Sequence, residues 1–263
     1  MCRIAAYIGP SIPLENIIVR PTHSLLEQSQ HATQAKLAVN GDGFGIAWYD
    51  RDAEPGVYRD VLPAWADGNL TSLCRMVRSR LFIAHVRAST VGETMRQNCH
   101  PFSYGRWSFC HNGQVPHFAS IERRLEADLP DHLYAARGGS TDSELLFLTL
   151  LANGLDDDPA RAMATTLDKI GTGPDPVKIT CVFTDGQTLY GYRYASRGTA
   201  PTLYASGVLD NGGKAFASEP LDGGAWDAVP VTNPYPKQPS DSLKPIGPIA
   251  QNPRCLPRLV EVI

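Results

Sequence analysis

Short apolar runs separated by turn residues make up the first half of the chain, and helical periods take over in its middle. Residues 2–8 (CRIAAYI) are apolar and β-prone and predict a strand; Pro10 and Pro13 then predict a turn or irregular stretch. Residues 23–35 have helical composition with a weak apolar stripe. Asn40-Gly41-Asp42-Gly43 is a turn signal, Phe44 to Tyr49 (FGIAWY) a strand, and Val57 to Leu62 a short further strand. Leu70, Leu73, Met76 and Val77 share one face of a predicted helix over 70–80. Leu81 to Val86 (LFIAHV) reads as a buried strand ending in Arg87.

The segment 88–105 is polar and turn-rich, a candidate active-site loop. Trp107 to His111 predicts a strand ended by Asn112-Gly113. Helices are expected over 118–129, 142–153 and 159–170; Ser140 or Thr141 caps the second, with Glu144 placed for a capping box. Ile179 to Phe183 and Thr188 to Tyr194 form a hairpin about Asp185-Gly186. Residues 202–206 and 214–218 continue the strand pattern. From Asn233 to Pro257 the composition shifts to Pro, Ser and Lys, which excludes a central strand or a helix interior. We therefore divide the chain into one domain over 1–232 and a Pro-rich tail over 233–263 that wraps the surface or is mobile. Strands, then helices, then strands again predict a layered α+β domain of two mainly antiparallel sheets with helices outside.

Composition narrows the function classes. The chain has 263 residues, 43% of them hydrophobic, enough for a sizeable core. A net charge of -3 without a dense basic run gives no nucleic-acid footprint. No apolar stretch has the length of a membrane span, and the short apolar run after Arg3, broken by Pro10, is no signal peptide. Cys2, Cys74, Cys99, Cys110, Cys181 and Cys255 are scattered without a CxxC pair, which predicts reduced thiols in a cytoplasmic protein.

Four clusters carry candidate chemistry. Cys2 follows Met1, and a small second residue permits methionine removal; a free Cys2 would combine a thiol with an α-amine of pKa about 8, a nucleophile and its base. Equally, Cys2 is an ordinary small residue near a chain end. Arg87, closing an apolar strand, offers a planar fork for a carboxylate, or pairs with a structural Asp or Glu. In His111-Asn112-Gly113, a side-chain amide beside a glycine N–H supplies two donors for an oxyanion, or the pair is a plain hairpin turn. Asp142, in the first turn of a helix, accepts from a substrate ammonium, or only stabilises the helix dipole. His85, His100 and His111 lack the HxH or HExxH spacing of a metal site. NGDGFG precedes a strand and not a helix, so it is no dinucleotide loop. Together, a carboxylate clamp, an ammonium acceptor, a thiol and an oxyanion hole are what hydrolysis of a γ-glutamyl amide needs.

These residues resemble those of the class II glutamine amidotransferases, which are N-terminal-nucleophile hydrolases. The matching pieces, in the family's order, are the MCR start, NGDGFGIAWY at 40–49, AHVRAST at 84–90, NCHPF at 98–102, HNG at 111–113, STDSE at 140–144 and FASEPLDG at 216–223. The resemblance implies a four-layer αββα fold. It implies Cys2 as nucleophile with its α-amine as base, Arg87 on the α-carboxylate, Asn112 and the Gly113 N–H as oxyanion hole, and Asp142 on the α-amino group. His100 matches a histidine near the family's site. No cofactor or metal is implied. Ala88 and Val91 stand where synthase-coupled members carry Trp and His. With no length left for an acceptor domain, we expect a stand-alone enzyme or a subunit. RPTHSLLEQS, TVGETMRQNCHPF and FASIERRL look most like the γ-glutamyl amidase subunits that cleave glutathione, with the ergothioneine-pathway members also similar. The expected partners are a small γ-glutamyl substrate and, as an option, a peptidase or synthase subunit. A glutaminase subunit feeding ammonia to a synthase and a silent γ-glutamyl sensor are the alternatives.

Overall fold

The computed structural model describes residues 2–89, 93–171, 173–232 and 259–262. The apolar run behind Cys2 becomes β1 (Arg3–Pro13), the middle strand of a seven-stranded sheet. Its neighbours are β4 (Arg78–Val86) and β10 (Lys214–Ala217), both antiparallel to it. Beyond β4 lie β2 (Phe44–Tyr49) and β3 (Gly56–Asp60); beyond β10 lie β9 (Tyr204–Ser206) and β11 (Trp226–Ala228). A second, five-stranded sheet has the order β12 (Val260–Val262), β8 (Leu189–Ala195), β7 (Lys178–Thr184), β6 (Trp107–Gln114), β5 (Phe102–Tyr104), again antiparallel.

The period of two in the strands builds the layers. Ile4, Ala6 and Ile8 of β1 face the second sheet and pack with Cys110, Val182 and Leu189. Ala5 and Tyr7 face the other way, against Leu14, Ile17 and Ile18 around α1 (Glu15–Ile18), Leu25 of α2 (Leu25–His31) and Leu70 and Cys74 of α3 (Gly68–Met76). On the outer face of the second sheet, Phe109, Ile179 and Phe183 pack on Leu146, Phe147 and Leu150 of α6 (Asp142–Ala152) and Met163 of α7 (Pro159–Ile170). The far side of α6 is covered by α4 (Phe118–Ala127) and α5 (Asp131–Ala135), through Leu125 and Leu133 against Leu145 and Leu148. The result is the αββα arrangement expected from the sequence.

Several boundaries differ from the sequence reading. Pro10 and Pro13 do not end β1. Pairing with β10 stops at Ile8 and the β4 register shifts between Ile8 and Ile12, so Pro10 falls where the ladder is already interrupted, and Pro13 is the last residue of the strand, opposite Arg78. The helix expected over 70–80 stops at Met76, because Arg78 is drawn into pairing with Pro13. The segment 88–105 is not all loop: it holds a 3-10 turn at Arg96–Asn98 and β5. α1 and α5 are too short for a periodic signal.

The most consequential difference is at Asn112-Gly113, which do not end a strand. β6 runs on to Gln114, with Asn112 opposite Thr180 and Gly113 opposite Ile179. The hairpin-turn alternative is thereby excluded. The expected tail falls mostly on 233–258, outside the described residues, as do Met1, Thr90–Gly92 and Cys255. Val260–Val262 add an edge strand to β8.

Candidate active site

Antiparallel register brings the first two clusters together. Arg3 lies opposite Val86, so the residues just past the ladder, Cys2 on one strand and Arg87-Ala88 on the other, meet at the same sheet end. The Ala88 N–H points at Cys2 Sγ (3.5 Å), and Sγ lies 3.6 Å from the Ala88 carbonyl. Burial pushes the Cys2 thiol up from its ordinary pKa, against the pull of the Ala88 hydrogen bond and of the Arg87 and Arg3 charges. Arg87 is buried. Its backbone is clasped by the glycine-rich turn: Arg87 N donates to Gly43 O (2.8 Å) and Asp42 N to Arg87 O (2.9 Å). Its Nη1 donates to Asp42 O (3.4 Å) and its Nη2 to Ser89 Oγ (3.0 Å), while Asp42 Oδ2 accepts from Ser89 N (2.7 Å). NGDG is thus a cradle for the Arg87 fork. Gly43 has φ 116 there, and a Cβ on it would collide with Cys99 Sγ.

The other two clusters form one unit across β6 and α6. Asp142 is the first residue of α6, and its Oδ2 accepts from Val115 N (3.0 Å), just past the end of β6. Its Oδ1 accepts from Ser143 Oγ (3.2 Å), whose single proton is then spent. Ser143 Oγ therefore accepts from His111 Nδ1 (2.9 Å), which sets that ring's tautomer. Asn112 is buried, and its Nδ2 meets no acceptor among the described residues. Gly113 lies so close to β7 that a Cβ would run into the Lys178 carbonyl. Half of the predicted capping box is present. Thr141 Oγ1 accepts from Glu144 N (3.2 Å), but the Glu144 carboxylate takes the N–H groups of Gly138 (2.9 Å) and Gly139 (2.7 Å) and leaves the cap residue's own N–H aside.

β1 and β4 pack on β6 across the sheet interface. Cys110 of β6 lies within electrostatic reach of Cys2, and His85 of β4 within reach of His111 of β6. His100 stacks on His85 with ring centroids 4.1 Å apart and meets the edge of Phe102 at 4.6 Å. Burial holds His85 down to about 3 and His100 well below the usual imidazole range, so both rings are neutral. Among the described residues, no three His, Cys, Asp or Glu side chains are grouped to hold a metal ion, and no helix is long and apolar enough to cross a membrane.

Sequence reasoning missed two groups. Ser143 stood inside STDSE with no role assigned. Glu219, within FASEPLDG, forms a buried ion pair with Arg3 (Nη1 to Oε1, 3.0 Å). Their separation of 216 positions hides that contact from any local pattern.

Comparison with known proteins identifies relatives of the chain. Residues 16–199 match the model of the family described as Glutamine amidotransferases class-II. The chain is 32% identical to Probable glutamine amidotransferase DUG3 of Saccharomyces cerevisiae, over 89% of this chain and 80% of that one. It is 29% identical to the Gamma-glutamyl-hercynylcysteine sulfoxide hydrolase of Mycobacterium tuberculosis, over 88% and 90%. Among solved structures, a glutamine aminotransferase class-II domain protein from Silicibacter pomeroyi superposes with a TM-score of 0.69 at 38% identity, covering 88% of this chain and 92% of that chain. The chain belongs to the class II glutamine amidotransferases, N-terminal-nucleophile enzymes, and its hydrolytic chemistry acts on a γ-glutamyl, glutamine-like amide.

Proposed function

We propose that the enzyme cleaves γ-glutamyl amides through a Cys2 thioester and releases glutamate, with a γ-glutamyl thiol peptide such as glutathione as the preferred substrate class. The observation that carries this reading is the run of Asn112-Gly113 inside β6, which leaves a buried amide donor with no acceptor among the described residues, on the strand whose Cys110 lies within electrostatic reach of Cys2. In this reading Met1 is removed, and the freed Cys2 α-amine takes the thiol proton. The thiolate attacks the γ-carbonyl, and Asn112 Nδ2 and the Gly113 N–H receive the oxyanion; one such donor is worth about 2.7–4 kcal/mol. The Cys2 ammonium protonates the leaving amine, and water then hydrolyses the thioester. Arg87 holds the α-carboxylate by its fork and Asp142 the α-ammonium. His100, neutral and stacked on His85, walls the glutamyl end without carrying charge. The likeness to a γ-glutamyl-hercynylcysteine sulfoxide hydrolase supports a γ-glutamyl derivative of a sulfur-containing amino acid over free glutamine.

The test is a panel of glutamine, glutathione and other γ-glutamyl thiols assayed for glutamate release, with intact-mass measurement of the active enzyme. We expect γ-glutamyl thiols to be turned over best, by protein lacking Met1, and Cys2→Ala to be inactive. Activity in Cys2→Ala sinks the nucleophile assignment, and full activity with Met1 retained sinks the α-amine's role. Glutamine as best substrate, with strong activation by an added synthase or peptidase subunit, would mark an ammonia-feeding subunit instead.

A further inference from the structure

Removal of Met1 creates a mechanical problem. Cys2 then has one peptide bond in place of two, and it lies outside the β1 ladder, whose pairing begins at Arg3 opposite Val86. Residues in that position fray. A nucleophile needs a thiol held within a fraction of an ångström of its line of attack. Something must therefore hold the one peptide group that Cys2 keeps.

That group is held by Arg3. The Arg3 Nε–H donates to the Cys2 carbonyl at 2.7 Å, a short charge-assisted bond. The guanidinium cannot swing away, because the side chain is wholly buried and its Nη1 is paired with Glu219 Oε1. Glu219 is in turn gripped by a loop distant in sequence. Its carboxylate accepts from Thr33 N (3.0 and 3.1 Å), Thr33 Oγ1 (2.5 Å) and Gln34 N (2.9 Å), and lies 2.7 Å from His23 Nε2. The neighbouring Ser218 ties the same two strands together, accepting from Ile4 N at 2.9 Å and donating its own N–H to Ile4 O at 2.9 Å.

Stability alone is a poor account of this arrangement. A buried ion pair costs desolvation that its attraction only roughly offsets, and an apolar pair of similar volume serves packing as well. An apolar pair has no N–H to offer the Cys2 carbonyl. We propose that Arg3, clamped by Glu219, is the positioning residue for the nucleophile: it fixes the Cys2 carbonyl, and with it the direction of the thiol, after the chain has lost Met1. This rests on the reading of Cys2 as nucleophile.

The experiment uses the full-length, Met1-processed enzyme with glutamine and glutathione as probes. Rates are divided by the number of active sites titrated with a γ-glutamyl diazoketone. Arg3→Lys keeps the charge and the partner but has no Nε–H directed at the carbonyl. We expect it to unfold in one cooperative transition and to lose about 10–100-fold in kcat per titrated site, the scale of a misplaced reacting group. KM should stay within about twofold, because Arg87 and Asp142 are untouched. Thr33→Val removes one grip on Glu219 without touching Arg3, and a severalfold fall in kcat with unchanged KM is expected. It decides the matter if Arg3→Lys does not fold. Wild-type kcat per titrated site in Thr33→Val and in any folded Arg3→Lys, or a change confined to KM, overturns the inference. Inactive Cys2→Ala in the same series shows that the reading of the nucleophile survives such a result, whereas an active Cys2→Ala fails that reading first.

Discussion

At Gly113 the backbone of β6 runs so close to the Lys178 carbonyl that even a methyl group collides with it. Gly113→Ala is expected to push β6 and β7 apart beside the proposed oxyanion donors and to lower kcat by about 10²-fold or more, close to the loss of one such donor; steady-state kinetics on folded protein check this. Arg87→Lys tests the fork. An ammonium is a point charge and cannot replace two parallel N–H donors, so KM for any γ-glutamyl compound should rise at least about tenfold while the protein stays folded. Asp142→Asn keeps an acceptor for Val115 N and removes the charge proposed to hold the substrate ammonium, so KM should again rise with little change in thermal stability; unchanged KM would make Asp142 purely structural. Arg87 and Asp142 were legible in the sequence because each closes or opens an element with a clear apolar pattern. Asn112-Gly113 was ambiguous, since the same dipeptide is the commonest signal for a turn.

α6 (Asp142–Ala152) carries Asp142, the residue proposed to hold the substrate ammonium. It is buried from Asp142 to Leu150, because a sheet covers one side and α4 and α5 the other. Its first turn carries Thr141 as cap, Asp142 on Val115, Ser143 on His111 and Glu144 on the Gly138-Gly139 loop. Thr141→Ala removes a cap worth about 1 kcal/mol. We expect that loss in denaturant unfolding, together with a raised KM, because the freed first turn no longer fixes Asp142. An unchanged KM would separate the cap from the site. The helix, its start and its cap were readable from composition. The direction of Glu144 was not, because two glycine N–H groups brought in by the preceding loop outcompete the reciprocal bond of a capping box.

At the scale of the whole molecule, burial of titratable groups sets the response to acid. His85 is held down to about 3, and His100 and His111 are also lowered by burial, so the native state refuses protons that the unfolded chain takes up below the ordinary imidazole value of 6.5. Burial works to raise the Glu219 carboxyl, but the hydrogen bonds from Thr33, Gln34 and His23 outweigh it and hold it down to about 2, against an ordinary value of 4.5. Its stabilisation is complete above pH 4.5. It is lost as pH falls towards 2, about 3 kcal/mol in all. In denaturant titrations, stability should therefore decline as pH drops below 6.5 and fall more steeply below 4.5, with Glu219→Gln flattening the second segment. A wild-type curve level from pH 7 to 4 would contradict this assignment.

The sequence by itself determined the layered αββα architecture and the family, and it singled out Cys2, Arg87, Asn112-Gly113 and Asp142 as candidates. Period and turn chemistry are local, and motif order survives in the linear chain. Only the tertiary structure decided that Asn112-Gly113 lie within a strand, that NGDG cradles Arg87, that His111 and Ser143 orient Asp142, and that Glu219 clamps Arg3 behind Cys2. Each of these is a contact between elements far apart in the chain. It is set by strand register and by the need to satisfy buried polar groups, neither of which leaves a pattern in any short window of residues.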